Sequence, residues 1–107
     1  MDNETCNSLA DVRAQIDRID GQMVKLIAER SGYVSLAARF KSRREEVVDR
    51  ERIEKVVAAA RSLAAELGLE PDLVEQVFRA MIDRFVAFEF REFDRIHGAP
   101  AASGDAE

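Results

Sequence analysis

With 107 residues, 47% apolar and 35% charged, the chain suffices for one domain around one modest core, in the composition range of a soluble helical protein. A net charge of −5, with no basic run beyond Arg43-Arg44, argues against nucleic acid, and no apolar run approaches the roughly 20 residues that span a bilayer. Cys6 and His97 are single representatives of their kinds, so neither an internal disulfide nor a protein-built metal site is expected. The opening Met1-Asp2-Asn3-Glu4 is acidic and lacks the basic and apolar regions of a secretion signal, which makes the cytoplasm the expected compartment.

Residues 1–7 are polar and expected to be loose. Ser8 can cap a first helix, with Asp11 three residues on in a near capping-box arrangement. That helix is expected to run to about Lys41. Its apolar residues recur three and four apart: Leu9, Val12, Ile16, Ile19, Met23, Leu26, then Tyr33, Ala37 and Phe40. A rod of this length measures about 50 Å, against a radius of gyration near 13 Å for a compact domain of this size. Its own chain cannot cover it, so part of the stripe calls for a second copy. Gly32 sits inside the helix and costs about 1 kcal/mol relative to alanine.

The stripe is broken at Arg30. Lys41 lies about 20° from Arg30 round the helix and about 16 Å along it. Two long cations on one face can converge on a small anion; the structural alternative is that Arg30 snorkels out of a helical seam. Arg13 sits about 25 Å from Arg30, too far to share one small ligand within a chain. If two first helices pair antiparallel about their middles, Arg13 of one chain falls opposite about position 36 of the other, between Arg30 and Lys41. A two-fold dimer would then gather three cations at each of two places. Taken alone, Arg13 is also compatible with an ordinary solvated arginine.

Ser42–Val48 is charged and reads as a loop. Asp49 is a plausible N-cap for a second helix, about Arg50 to Leu67, with its stripe at Ile53, Val56, Val57, Ala60, Leu63 and Leu67. Gly68 suits the left-handed position after that helix, and Pro71 the first turn of a third, which runs to about Ile96. The third stripe is Val74, Val77, Phe78, Met81, Ile82, Phe85, Phe88, Phe93 and Ile96. Glu89 continues the Phe78, Ile82, Phe85 series and should face inward. A carboxylate there needs a partner or a proton; a structural reading pairs it with Arg91 or Arg95 of a neighbouring element. From Gly98 onward the chain is small, polar and acidic, the composition of a disordered tail. The expected organisation is all-α: a flexible segment 1–7, a three-helix domain 8–97 and a tail 98–107.

The run Val12-Arg13-Ala14-Gln15-Ile16-Asp17-Arg18-Ile19-Asp20, followed by Leu26-Ile27-Ala28-Glu29-Arg30, resembles the first helix of the all-helical chorismate mutase family. Arg39-Phe40-Lys41 and Asp49-Arg50-Glu51-Arg52 continue the match in order, and the resemblance covers about residues 9–95. The segment from Cys6 through Lys41 also looks like the isochorismate pyruvate lyases, a branch of the same family. The resemblance implies an intertwined three-helix homodimer with two shared sites and no metal or cofactor. It implies that Arg13, from the partner chain, and Arg30 bind the carboxylates of a small dicarboxylate substrate. Lys41 would donate to the substrate's ether oxygen, Glu51 would hold the ring hydroxyl, Arg50 would support it, and Glu89 would be the second donor to the ether oxygen. Departures from the family pattern are a short loop after Lys41, Val47 where mutases commonly carry aspartate, Phe85 where many members have a small polar residue, and Glu89 in place of glutamine.

The activity so implied is the pericyclic rearrangement of chorismate to prephenate. Such a reaction needs orientation, and donors where charge grows on the ether oxygen. An ionised Glu89 would repel that oxygen, whereas a protonated one would donate as glutamine does. Three other readings stand beside it: pyruvate elimination from isochorismate, rearrangement of the 4-amino analogue of chorismate, and a non-catalytic helical dimer. Arg13, Arg30, Lys41 and Glu89 together on inward faces argue against the last.

Overall fold

The computed structural model describes residues 6–98. Among them the chain is all-helical: α1 spans Leu9–Phe40, α2 Arg50–Glu66 and α3 Pro71–His97, with a short 3-10 turn at Arg44–Val47 between α1 and α2. Expected and observed helix ends agree within a residue. Lys41 falls just past the end of α1, and α3 extends one residue beyond Ile96. Most of the expected loose N-terminus and nearly all of the expected tail lie outside the described residues. No helix is long and apolar enough to cross a membrane.

The ends form as local chemistry dictates. Ser8 Oγ accepts from the Asp11 amide at 3.1 Å, and Asp11 accepts from the Asn7 amide at 2.9 Å, so two exposed donors at the start of α1 are satisfied. The Asp49 carboxylate accepts from the Arg52 amide at 3.0 Å and caps α2. At the other end of α2, Leu69 N–H donates to Ala64 O at 2.8 Å and Gly68 N–H to Ala65 O at 3.1 Å. Gly68 has φ +78°, the left-handed geometry that this crossed pair of bonds requires. Pro71 then opens α3, where its missing N–H is no loss.

The described residues divide into two compact units within α1, after Tyr33. In the first, the apolar side chains are largely uncovered, from 42% exposed at Val12 to 67% at Tyr33. Nothing lies within 4 Å of where a Cβ would stand at Gly21 or Gly32.

In the second unit, Ala38, Val47 and Phe93 form a buried cluster, with Val86, Phe90 and Ile96 packed against it. Val57 and Ala64 of α2 and Ile82 of α3 are also buried. Ion pairs tie the outer faces of α2 and α3. Arg79 bridges Glu54 at 2.9 Å and Glu75 at 2.7 Å, and Arg61 bridges Glu75 at 2.6 Å and Asp72 at 2.7 Å. The guanidinium of Arg79 holds the carboxyls of Glu54 and Glu75 below the usual carboxylate range.

The segment expected as a loop, Ser42–Val48, contains the 3-10 turn. Its organising residue is Val47, 3% exposed beneath the strap. Burial of this one valine in a charged run gives the segment a fixed seat.

Candidate functional site

Lys41 is the first residue beyond α1, and its position decides what it meets. Its ammonium donates to Glu89 Oε2 on α3 at 2.6 Å. Glu89 is buried, as its place in the aromatic series required, but its partner is Lys41 and not Arg91 or Arg95. Arg95 is engaged with Glu92 one turn away, at 2.7 Å. The helical series correctly turned Glu89 inward; it carried no information about the residue across the gap. A buried carboxylate with a cation in contact avoids the cost of an isolated buried charge.

Beside this pair lies an open cleft of about 470 Å³. Phe40 and Lys41 from the end of α1 line one side; Ser42, Glu46 and Val48 from the strap and Asp49 and Arg50 from the start of α2 line the rest. The volume is in the range of small-ligand pockets, about 300–1,000 Å³. Lys41 and Arg50 are the two cationic residues in its lining. Its acidic members are partly occupied elsewhere. Asp49 caps α2, and Glu46 Oε1 accepts from the Ser42 and Arg43 amides at 2.8 and 2.9 Å and from Ser42 Oγ at 3.3 Å. The Arg43 and Ser42 amides hold the Glu46 carboxyl below its ordinary range. Glu46 therefore folds the strap back directly after Lys41.

Among the other expected site residues, Glu51 is exposed on the first turn of α2, outside the cleft lining. Phe85 is half-buried on α3 and meets the Phe88 ring edge-to-face at 6.0 Å. Arg13 is exposed and Arg30 half-buried on the part of α1 that belongs to the first unit. The structure thus brings together Lys41 with Glu89, and Lys41 with Arg50.

Several contacts around the site carry no periodic signal. Ser35 Oγ donates to Glu92 Oε1 at 2.7 Å. With the Arg95 guanidinium as the larger cause and Ser35 as the second, the Glu92 carboxyl is pulled down to about 2. His97 stacks on Phe93 at 4.2 Å and contacts the Ala38 carbonyl through Nε2 at 2.9 Å. Arg44, in the strap, grips Asp94 of α3 with two bonds, 2.9 and 3.2 Å. Among the described residues no cluster of His, Cys, Asp and Glu is suited to a metal ion.

A family model described as chorismate mutase type II matches residues 12–90. The isochorismate pyruvate lyase of Pseudomonas aeruginosa is 33% identical to the chain over 96 residues, which cover 90% of this chain and 95% of that protein.

Proposed function

The chain belongs to the chorismate mutase type II family, and from that membership we propose that it catalyses the rearrangement of chorismate to prephenate. The observation that carries the reading is Lys41: an ammonium fixed by a buried carboxylate at the wall of a small cleft that also receives Arg50. In the substrate, the enolpyruvyl chain must fold over the ring while the ether bond breaks and a carbon–carbon bond forms. Negative charge grows on the ether oxygen as that happens. A donor already aimed there favours the transition state over the ground state. Lys41 has three N–H donors, so it can keep Glu89 and still offer a proton to the substrate. Arg30 and a second chain's Arg13 take the two carboxylates in this reading, where guanidinium forks bind more specifically than ammonium groups. Glu51 and Arg50 serve the ring substituent, and Phe85 supplies an apolar wall. No metal or cofactor is required.

The second chain is part of the proposal. The stripe from Leu9 to Tyr33 is a long row of exposed apolar side chains on one helix, which supports an intertwined two-fold homodimer. Leu63, Leu67, Leu73 and Val77 add further exposed apolar surface around the α2–α3 connection.

In this reading Glu89, as the acceptor of the Lys41 ammonium, orients that donor toward the ether oxygen.

One observation favours a second reading, pyruvate elimination from isochorismate to give salicylate: the Pseudomonas relative bears the name of that activity. The reaction places the same demand on Lys41, because the same ether bond breaks. Supplying chorismate and isochorismate separately and following products by chromatography decides between them. Prephenate as the faster product establishes the mutase, and salicylate with pyruvate as the faster products establishes the lyase. Turnover of neither by the dimer overturns both.

A further inference from the structure

The strap, residues 42–48, supplies a large part of the cleft wall, through Ser42, Glu46 and Val48. It must therefore be held still for the wall and the lysine to be preorganised. Val47 anchors it at one point, buried with Ala38 and Phe93. A single apolar anchor fixes a position but not the rotation of the backbone about it. Glu46 closes the first turn through bonds to Ser42 and Arg43, both within the strap.

That leaves the external tie. Arg44 Nε and Nη2 donate to the two carboxylate oxygens of Asp94 at 2.9 and 3.2 Å, and the guanidinium lies over the Phe90 ring, 4.5 Å from its centroid. A planar fork with two bonds and a stacked face fixes orientation as well as distance. Asp94 and Phe90 are on α3, the helix that also carries Glu89. One helix thus holds Lys41 at one place and the strap that follows it at another. Neither Arg44 nor Asp94 lines the cleft.

We propose that Arg44, through its bidentate grip on Asp94 and its seat on Phe90, is a positioning residue that sets the cleft wall and the Lys41 ammonium for the reaction assigned above. The inference rests on that assignment. It makes a prediction that a structural salt bridge does not: an ion pair with Arg44 46% exposed adds little stability, yet its loss should be felt in turnover.

Arg44→Ala, Asp94→Ala, the double variant and Arg44→Lys are compared with wild type for kcat, KM, Tm and backbone amide exchange. In both single alanine variants kcat/KM should fall about 10- to 100-fold, mainly in kcat, because a displaced donor costs most in the transition state. The double variant should be no worse than either single one. Arg44→Lys should recover only part of the loss, since lysine lacks the fork. Tm should move by only a few degrees, and Ser42 and Arg43 amides should exchange faster while α2 and the first turns of α3 keep their protection. Wild-type kcat and KM in folded Arg44→Ala, or unchanged exchange at Ser42 and Arg43, overturns the proposal. If the wild-type protein converts neither chorismate nor isochorismate, the assigned reaction fails, and amide exchange alone still decides whether Arg44 holds the strap.

Discussion

From Leu9 to Tyr33, α1 presents Leu9, Ile16, Met23 and Leu26 about half exposed or more, and on its polar face Arg18 bonds to Gln15. From Val34 onward, Ala38, Val47, Val57, Ile82 and Phe93 are buried, and paired charges lock the outside of α2 and α3. Both regions are amphipathic helix written in the same alphabet. They differ in how far the apolar face is covered within the described residues. α2 and α3 are joined by a tight turn and supply one another. The early part of α1 also carries an apolar stripe, and its side chains are largely exposed. Periodicity specifies that a face must be buried, but it does not specify which chain buries it.

The comparison breaks most sharply at the stripe. Ile16→Glu combined with Met23→Glu puts charge where the proposed second copy packs. Sedimentation should then show a monomer, and activity should fall more than about 100-fold, because each site loses the Arg13 of its second chain. A fully active monomer would remove the shared-site reading. Next in size is Lys41→Ala, in the well-packed region. The loss in kcat should be about 10²- to 10³-fold, the scale for removing one donor to a developing oxyanion. Far-UV circular dichroism should remain that of the wild type, and Lys41→Arg should restore some of the rate.

The smallest effect sharpens the comparison in the second region alone. Glu92 is held near 2 in the fold, against 4.5 for an ordinary glutamate. A carboxyl whose value is depressed on folding stabilises the fold above its unfolded value, and that contribution is lost as pH falls through the folded one. Stability from Glu92 is thus complete above about pH 4.5 and disappears toward pH 2. Glu92→Gln should lower Tm slightly at neutral pH and flatten the acid limb of the Tm–pH curve in that window. An acid limb identical to the wild type would mean that the Ser35–Glu92–Arg95 contacts hold nothing that folding depends on.

Three helices, their caps and their ends within a residue were legible, because each rests on local rules: Asp49 as a cap, Gly68 at positive φ, Pro71 in a first turn. Glu89 was legible as an inward carboxylate because helical spacing alone turns it. Its pairing with Lys41 was not, since that depends on how α1 ends and α3 passes it, 48 positions along the chain. The strap was legible as the connection between α1 and α2 but not as a packed turn, for a related reason. Charge density suggested a loop, while the decisive residue was the lone buried Val47, and the pair Arg44–Asp94 joins positions 50 apart. Two adjacent valines inside a charged run were the available signal. Helical spacing singled out Arg30 and Arg13 as cations able to converge on an anion, while the substrate groups given to Arg13, Arg30 and Glu51 are implied by family resemblance alone.

The turn from α2 to α3 is closed by two crossed hydrogen bonds at Gly68 and Leu69. Its short reach makes the encounter of these two helices an early and local event, while in the proposed dimer the first part of α1 has to wait for another molecule. Refolding should accordingly run on two clocks. One, reporting α2 against α3, keeps the same time constant at any dilution. The other, reporting the burial of the Leu9–Tyr33 stripe, quickens as the protein is made more concentrated.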